Sequence, residues 1–155
     1  MSFKHVAWAR RATIYEVNLR QFSKAGTLAA FAKHLPRLKG MGVDILWFMP
    51  LHPIGRRHRK GTLGSYYAVR DYKAVNPEFG QLKDFKAVVQ QDHALGMKVL
   101  IDWVANHTAW DHAWVKEQPD WYKKDAQGQV HAYTYRASPD AEPEFWTDVV
   151  GLDFD

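Results

Sequence analysis

The segment Asp102-Trp103-Val104-Ala105-Asn106-His107 puts a carboxylate, an amide and an imidazole side by side, directly after an apolar run. Each side chain has a chemistry to offer. Asp102, at the mouth of that run, reads as the organiser of a site, with a cap or an ion-pair partner as the alternative. Asn106 brings a carbonyl oxygen that suits Ca²⁺, or an amide that recognises hydroxyls; a plain turn is its bland reading. His107 could donate to a ligand hydroxyl, bind a metal or simply pack. His107, Asp111 and His112 make a poor zinc set, because no helix gives them i, i+4 geometry. Elsewhere Arg56, Arg57, His58, Arg59 and Lys60 form a cationic run that could grip phosphate. Bounded by Gly55 and Gly61 and lacking interleaved aromatics, it reads better as a solvated loop.

Other chemistries are excluded. With no Cys there is no thiolate nucleophile, disulfide or iron–sulfur site. Neither G-x-G-x-x-G after the first strand nor G-x-x-x-x-G-K-[ST] is present, so the usual phosphate cradles are missing. The lack of G-x-S-x-G rules out an α/β-hydrolase elbow.

The elements that must position these residues are legible as an alternation. Residues 13–17, rich in β-branched and aromatic side chains, predict a strand continuing to Leu19. Thr27 then caps a helix with Leu28, Phe31, Leu35 and Leu38 on one stripe. Pro36 should interrupt it, and Gly40 and Gly42 should end it. Residues 43–49 are nearly all apolar, the mark of a strand buried on both faces in a parallel sheet. A long loop follows over 51–79, of a length that is usually functional. A second helix is predicted over 81–95, with Leu82, Phe85, Val88, Val89 and Leu95 inward, and a third strand over 97–102. Strand, helix, strand, helix, strand argues for right-handed parallel crossovers. Beyond Asp102 the rhythm stops, apart from a short helix at Ala113–Glu117 and an alternating strand over 130–135. In such folds ligands gather at the carboxyl ends of the strands, where Asp102 lies.

Composition sets the frame. The 155 residues carry 21 Lys+Arg against 17 Asp+Glu, and the net +4 is an ordinary solubility charge that points to no nucleic-acid partner. Apolar residues make up 46%, enough for a packed core. Aromatic residues reach 14%, many in loop-like sequence, where exposed rings suit sugar faces or bases. The apolar runs are too short to span a bilayer, and Arg10 and Arg11 sit where a signal peptide would need its apolar stretch, so a cytoplasmic location is expected.

DWVANH (102–107) resembles the first conserved region of the α-amylase superfamily, glycoside hydrolase family 13, whose form is D-x-x-x-N-H at the end of the third barrel strand. Four further segments match in order: TIYEVNLRQFS (13–23), GVDILWFMPLHPIG (42–55), GSYYAVRDYKAVNPEFG (64–80) and WTDVVGLDFD (146–155). The resemblance implies a (β/α)₈ TIM barrel that acts on α-glucan or maltodextrin with retention of configuration. Tyr67 then matches the tyrosine that stacks on the sugar at the cleavage point, and Asp71 a carboxylate that supports that loop. His107 matches the histidine that hydrogen-bonds the same sugar, and Asp102 the aspartate that holds the active-site floor. Asn106 matches a position that binds Ca²⁺ in many members.

The same resemblance puts the nucleophile on the fourth strand in a G-x-R-x-D segment and the acid/base on the fifth. Both are expected beyond Asp155, the last residue of the sequence, so no residue here is assigned a catalytic role. A barrel of this kind takes about 250 residues. The expectation is therefore an α/β fold holding the first three β/α units of an incomplete barrel: residues 1–105 its N-terminal part, and 106–155 the start of a loop-rich insertion after the third strand. Alone, such a chain should be catalytically silent and prone to aggregate. The resemblance leaves open a transglycosylase or a trehalose- or maltose-active member. A non-catalytic sugar-binding module using Tyr66, Tyr67, Trp103 and Trp110 is the alternative from another class.

Overall fold

The computed structural model describes residues 4–154. Asp155, the residue beyond which the sequence reading puts the nucleophile and the acid/base, lies outside the described residues. The chain divides into two compact units. One takes the residues up to Met49 together with Pro77–Asp102, and the other takes Pro50–Asn76 and the residues from Trp103 onward.

The first unit is a three-stranded parallel sheet with helices. Strands β1 (Ile14–Val17), β2 (Ile45–Phe48) and β3 (Lys98–Ile101) lie in the order β1-β2-β3. Ile14 pairs with Ile45 and Ile45 with Lys98, so one face carries Ile14, Glu16, Ile45, Trp47, Lys98 and Leu100. The opposite face carries Val17, Leu46 and Phe48, all fully buried. Helices α2 (Leu28–Ala32), α3 (Leu35–Gly40) and α4 (Leu82–Ala94) supply Leu28, Phe31, Leu35, Leu38 and Val88 to the core. Phe31 meets Phe48 edge-on at 5.2 Å, and Phe48 meets Phe85 at 5.9 Å.

Local chemistry sets the boundaries. Thr27 accepts from the Ala30 N–H at 3.3 Å, capping α2. Pro36 then separates α2 from α3, because it has no N–H to continue the ladder. Gly42 has φ +88°, a left-handed turn that suits glycine and lets the chain reverse into β2. Asp84 accepts from the Gln81 N–H at 2.7 Å and so caps α4.

Three expectations are corrected here. Leu19 does not extend β1; it opens a four-residue helix, α1 (Leu19–Phe22), and is buried there. Leu82 is 51% exposed, and Asp92, four residues after Val88, takes the inward place with no exposure. Both Asp92 carboxylate oxygens lack a hydrogen-bond partner. Finally, β2 and β3 are not buried on both faces. Trp47 is 38% exposed and Leu100 48%, because a strand's apolar character does not itself supply a covering layer.

The second unit is built mainly of loops around an antiparallel sheet, β4 (His107–Ala109), β5 (Ala132–Tyr135) and β6 (Glu144–Gly151), in the order β4-β6-β5. Residues 51–76 form neither helix nor regular strand, but an Ile54–Val69 bridge closes them into a hairpin-like loop. Ile54, Ala68, Ala109 and Val149 make its apolar centre, and Tyr66, Tyr133 and Trp146 pack on it. Gly55 is required there: a Cβ would stand 2.4 Å from that of Ala109. The short helix α5 (Ala113–Glu117) is present, capped by His112 Nδ1 accepting from the Trp114 N–H. Among the described residues no helix is long and apolar enough to cross a membrane.

Candidate functional site

The loop-built unit brings Tyr67 and His107 into direct contact. His107 Nε2 lies 3.2 Å from the Tyr67 carbonyl oxygen. A carbonyl only accepts, so Nε2 carries the proton and donates. In the neutral ring Nδ1 is then an acceptor, and it is buried without a partner. Burial pushes the His107 pKa below its ordinary value, against the smaller opposing pull of the Tyr67 carbonyl and the Asp148 carboxylate. The ring is fixed by its place in β4, opposite Gly151 of β6, and by the Tyr133 and Trp146 rings at 5.4 and 6.1 Å.

Four hydrogen bonds set the neighbouring loop. Ser65 Oγ accepts from the Tyr67 N–H at 3.2 Å, leaving the Tyr67 side chain exposed. The Tyr72 hydroxyl reaches two carbonyl oxygens, of Val104 at 2.7 Å and His107 at 3.0 Å. Burial, with a smaller contribution from Tyr122, pushes the Tyr72 pKa up to about 12, so it stays a donor. Asp71 Oδ1 accepts from the Lys73 N–H at 2.8 Å, a local turn that steadies its own loop.

Tyr67 and His107 line a cavity of 360 Å³ together with Lys60, Ser65, Trp146 and Asp148. Asp148 is buried and meets Lys60 Nζ at 2.9 Å. Aromatic rings and hydrogen-bonding groups converge on a concave surface that suits a polar ligand with an apolar face. A larger cavity of 480 Å³, walled by Tyr72, Trp103, Trp114 and Phe154, is lined by no carboxylate.

The other sequence candidates are held as follows. Asp102 belongs to the parallel-sheet unit, half-buried after β3, with its N–H donating to the Phe48 carbonyl at 2.9 Å. Asn106 is exposed, and its Nδ2 donates to the Tyr133 hydroxyl at 3.4 Å. Calcium takes six or more oxygens. Among the described residues no group of three or more His, Cys, Asp or Glu side chains could hold a metal ion. The cationic run is mostly spoken for. Arg59 donates to the Gly55 and Ile54 carbonyls at 2.7 and 3.1 Å, and Arg57 sits 5.0 Å over the Trp110 ring. Sequence reasoning missed Lys60 as a site residue, along with Trp146 and Asp148. The period of two in 144–151 was the available signal, since it places Trp146 and Asp148 on one face of a strand.

The model of the alpha-amylase catalytic domain matches residues 10–152. The chain belongs to the α-amylase family. Among solved structures, an α-amylase of Lactobacillus plantarum is 46% identical with a TM-score of 0.82, over 93% of this chain and 32% of that one. A noncanonic maltogenic α-amylase of Thermotoga neapolitana is 41% identical with a TM-score of 0.78, over 92% and 32%. An alpha-1,4-glucan:maltose-1-phosphate maltosyltransferase of Rhodospirillum rubrum is 38% identical, over 83% of this chain. The chain spans 20% of that relative's length. The fold is that of part of an α-amylase barrel domain, and its three-stranded parallel sheet is not closed. Within the α-amylase family both glycoside hydrolases and transferases occur among these relatives.

Proposed function

We propose that residues 1–155 form the substrate-binding shelf of an α-glucan-active, retaining glycoside hydrolase. The observation that carries this reading is the 3.2 Å tie between His107 Nε2 and the Tyr67 carbonyl, which fixes an imidazole and an open tyrosine side chain on one cavity. Tyr67 stacks on the sugar at the bond to be cleaved. His107, which lines the same cavity, hydrogen-bonds a hydroxyl of the same sugar, as the matching family histidine does. Because burial keeps the ring neutral, it can do so without placing a charge beside the substrate. Asp71 supports the loop that carries Tyr67, and Asp102 keeps the role of the matching family residue at the active-site floor.

Retaining cleavage needs a nucleophilic carboxylate and an acid/base about 5–5.5 Å apart. The one carboxylate lining this cavity, Asp148, is neutralised by Lys60. Asp148 alone cannot serve as that pair, which we assign to the fourth and fifth strands that the family resemblance implies. A second reading, transfer of the glycosyl group to a sugar acceptor instead of water, is supported by the maltosyltransferase likeness.

Incubation with maltoheptaose tests both. The intact protein that carries these residues should release reducing sugar, and the isolated 155-residue chain should release none. Longer oligosaccharides in place of new reducing ends would select the transfer reading. Turnover by the isolated chain would overturn the assignment of catalysis to residues outside it, and an intact protein inert on every α-glucan would overturn the whole reading.

A further inference from the structure

We propose that Lys60 and Asp148 act as a sugar-hydroxyl-binding pair in the Tyr67–His107 cavity, which makes Lys60 a direct determinant of carbohydrate affinity. This rests on the reading that the cavity takes an α-glucan.

An ordinary surface ion pair holds neither of its side chains firmly. Here the two members differ. The Asp148 side chain is 7% exposed, set in the cavity wall, whereas the Lys60 side chain is 54% exposed. The buried carboxylate needs a counter-charge, and Lys60 Nζ supplies it at 2.9 Å. That contact draws a long, flexible side chain to the cavity and anchors its end. An ammonium has three N–H donors, so two remain for a ligand. A carboxylate only accepts and an ammonium only donates. Side by side they match adjacent hydroxyls of a pyranose, which offer both a donor and an acceptor.

The surroundings fit the same ligand. Trp146 lines the cavity, and its ring is stacked on Tyr135 at 5.7 Å and flanked by Tyr133 at 5.2 Å. Its orientation is therefore set before a ligand arrives, and an aromatic face of this kind suits the C–H face of a sugar ring. His107 lines the same cavity. The sequence neighbours of Lys60 do not compete for the role. Arg59 is consumed by backbone carbonyls and Arg57 by Trp110. Of the cationic run, Lys60 is the member that lines this cavity.

The test is maltoheptaose affinity of the intact protein, read by calorimetry with tryptophan fluorescence as a second signal. Lys60→Met should weaken binding about tenfold, the scale of one hydrogen bond to a charged group. Lys60→Arg, which keeps the charge and the donors, should recover most of it. Asp148→Asn, which keeps the shape but frees the ammonium, should weaken binding in the same direction. Thermal melts identify any variant that fails to fold, and the two Lys60 variants, altered at a half-exposed position, keep the test open if Asp148→Asn is lost. Wild-type affinity in a folded Lys60→Met protein overturns this inference and leaves the α-glucan reading standing. Equal losses in Lys60→Met and Lys60→Arg also overturn it, since a donor role predicts rescue. No saturable binding by the wild type overturns the α-glucan reading and the inference with it.

Discussion

In the parallel-sheet unit Val17, Leu46 and Phe48 are sealed under helices, and the backbone is held by a regular ladder. In the loop-built unit single side chains hold long stretches of irregular backbone. Arg59 binds the carbonyls of Ile54 and Gly55, Tyr72 those of Val104 and His107, and the Asp111 carboxylate accepts from the Arg56 N–H at 2.9 Å. The difference is one of redundancy. A core residue shares its role with many neighbours of like chemistry, and its loss leaves a void. A tether has no understudy, but its loss releases only the segment it holds. The first arrangement gives stiffness, and the second lets a binding surface be assembled from residues far apart in sequence.

The largest effect should come from the core. Phe48 is fully buried and touches Phe31 and Phe85, so Phe48→Ala should cost about 3–5 kcal/mol in urea unfolding. A loss below ~1 kcal/mol would show that this core collapses around the gap, and the contrast between the units would weaken.

A tether should cost less and act locally. Tyr72→Phe keeps the ring and removes one hydroxyl, leaving the Val104 and His107 carbonyls without that donor. The expected cost is about 1–2 kcal/mol. Amide exchange should quicken around residues 104–109 and stay unchanged in β1–β3, which the lost hydroxyl does not touch. Uniform acceleration across both units would mean that they unfold as one, and that tethers and core are not separable.

The two units also differ in how far sequence discloses them. Apolar runs at 13–17, 43–49 and 97–102 mark β1 to β3, because burial on a regular element repeats with that element's period. The runs overshoot the strands by a residue or two, since a ladder ends where its partner ends. Exposure of Trp47 and Leu100 was not legible in the runs themselves, but it follows from the incomplete barrel that the family resemblance implies, since an open parallel sheet leaves one apolar face uncovered. In the loop-built unit a period exists only in short strands such as 130–135, and the long loops have none to read. Tyr67 and His107 emerge through their likeness to a family motif, and Lys60 reads as a solvated charge. Its meeting with Asp148 joins distant positions through one contact, which leaves no pattern in either segment. Asp92 was legible in principle. It follows Val88 by four residues, on the same helix face, and a carboxylate there signals burial of a charge.

That carboxylate gives the smallest effect and the one expected gain. Asp92 is fully buried with neither oxygen bonded, and desolvation raises its pKa above the ordinary carboxylate value, against lesser opposing pulls from His93, Lys39 and Lys98. A raised native pKa means that the folded state holds its proton more tightly than the unfolded chain. Its stabilising contribution is complete below about pH 4, where the unfolded carboxylate is protonated too. It declines as pH rises through the native value, because ionisation is then easier in the unfolded chain. Asp92→Asn has no proton to lose. Urea midpoints of the two proteins should therefore lie close together near the acid end and separate as pH rises, with the variant the more stable. The gain should stay below the Tyr72 loss, since a buried amide still lacks hydrogen-bond partners. A midpoint difference that does not vary with pH would mean that Asp92 keeps the same protonation state in both forms of the chain, and that water or a rearranged lysine reaches it inside the core.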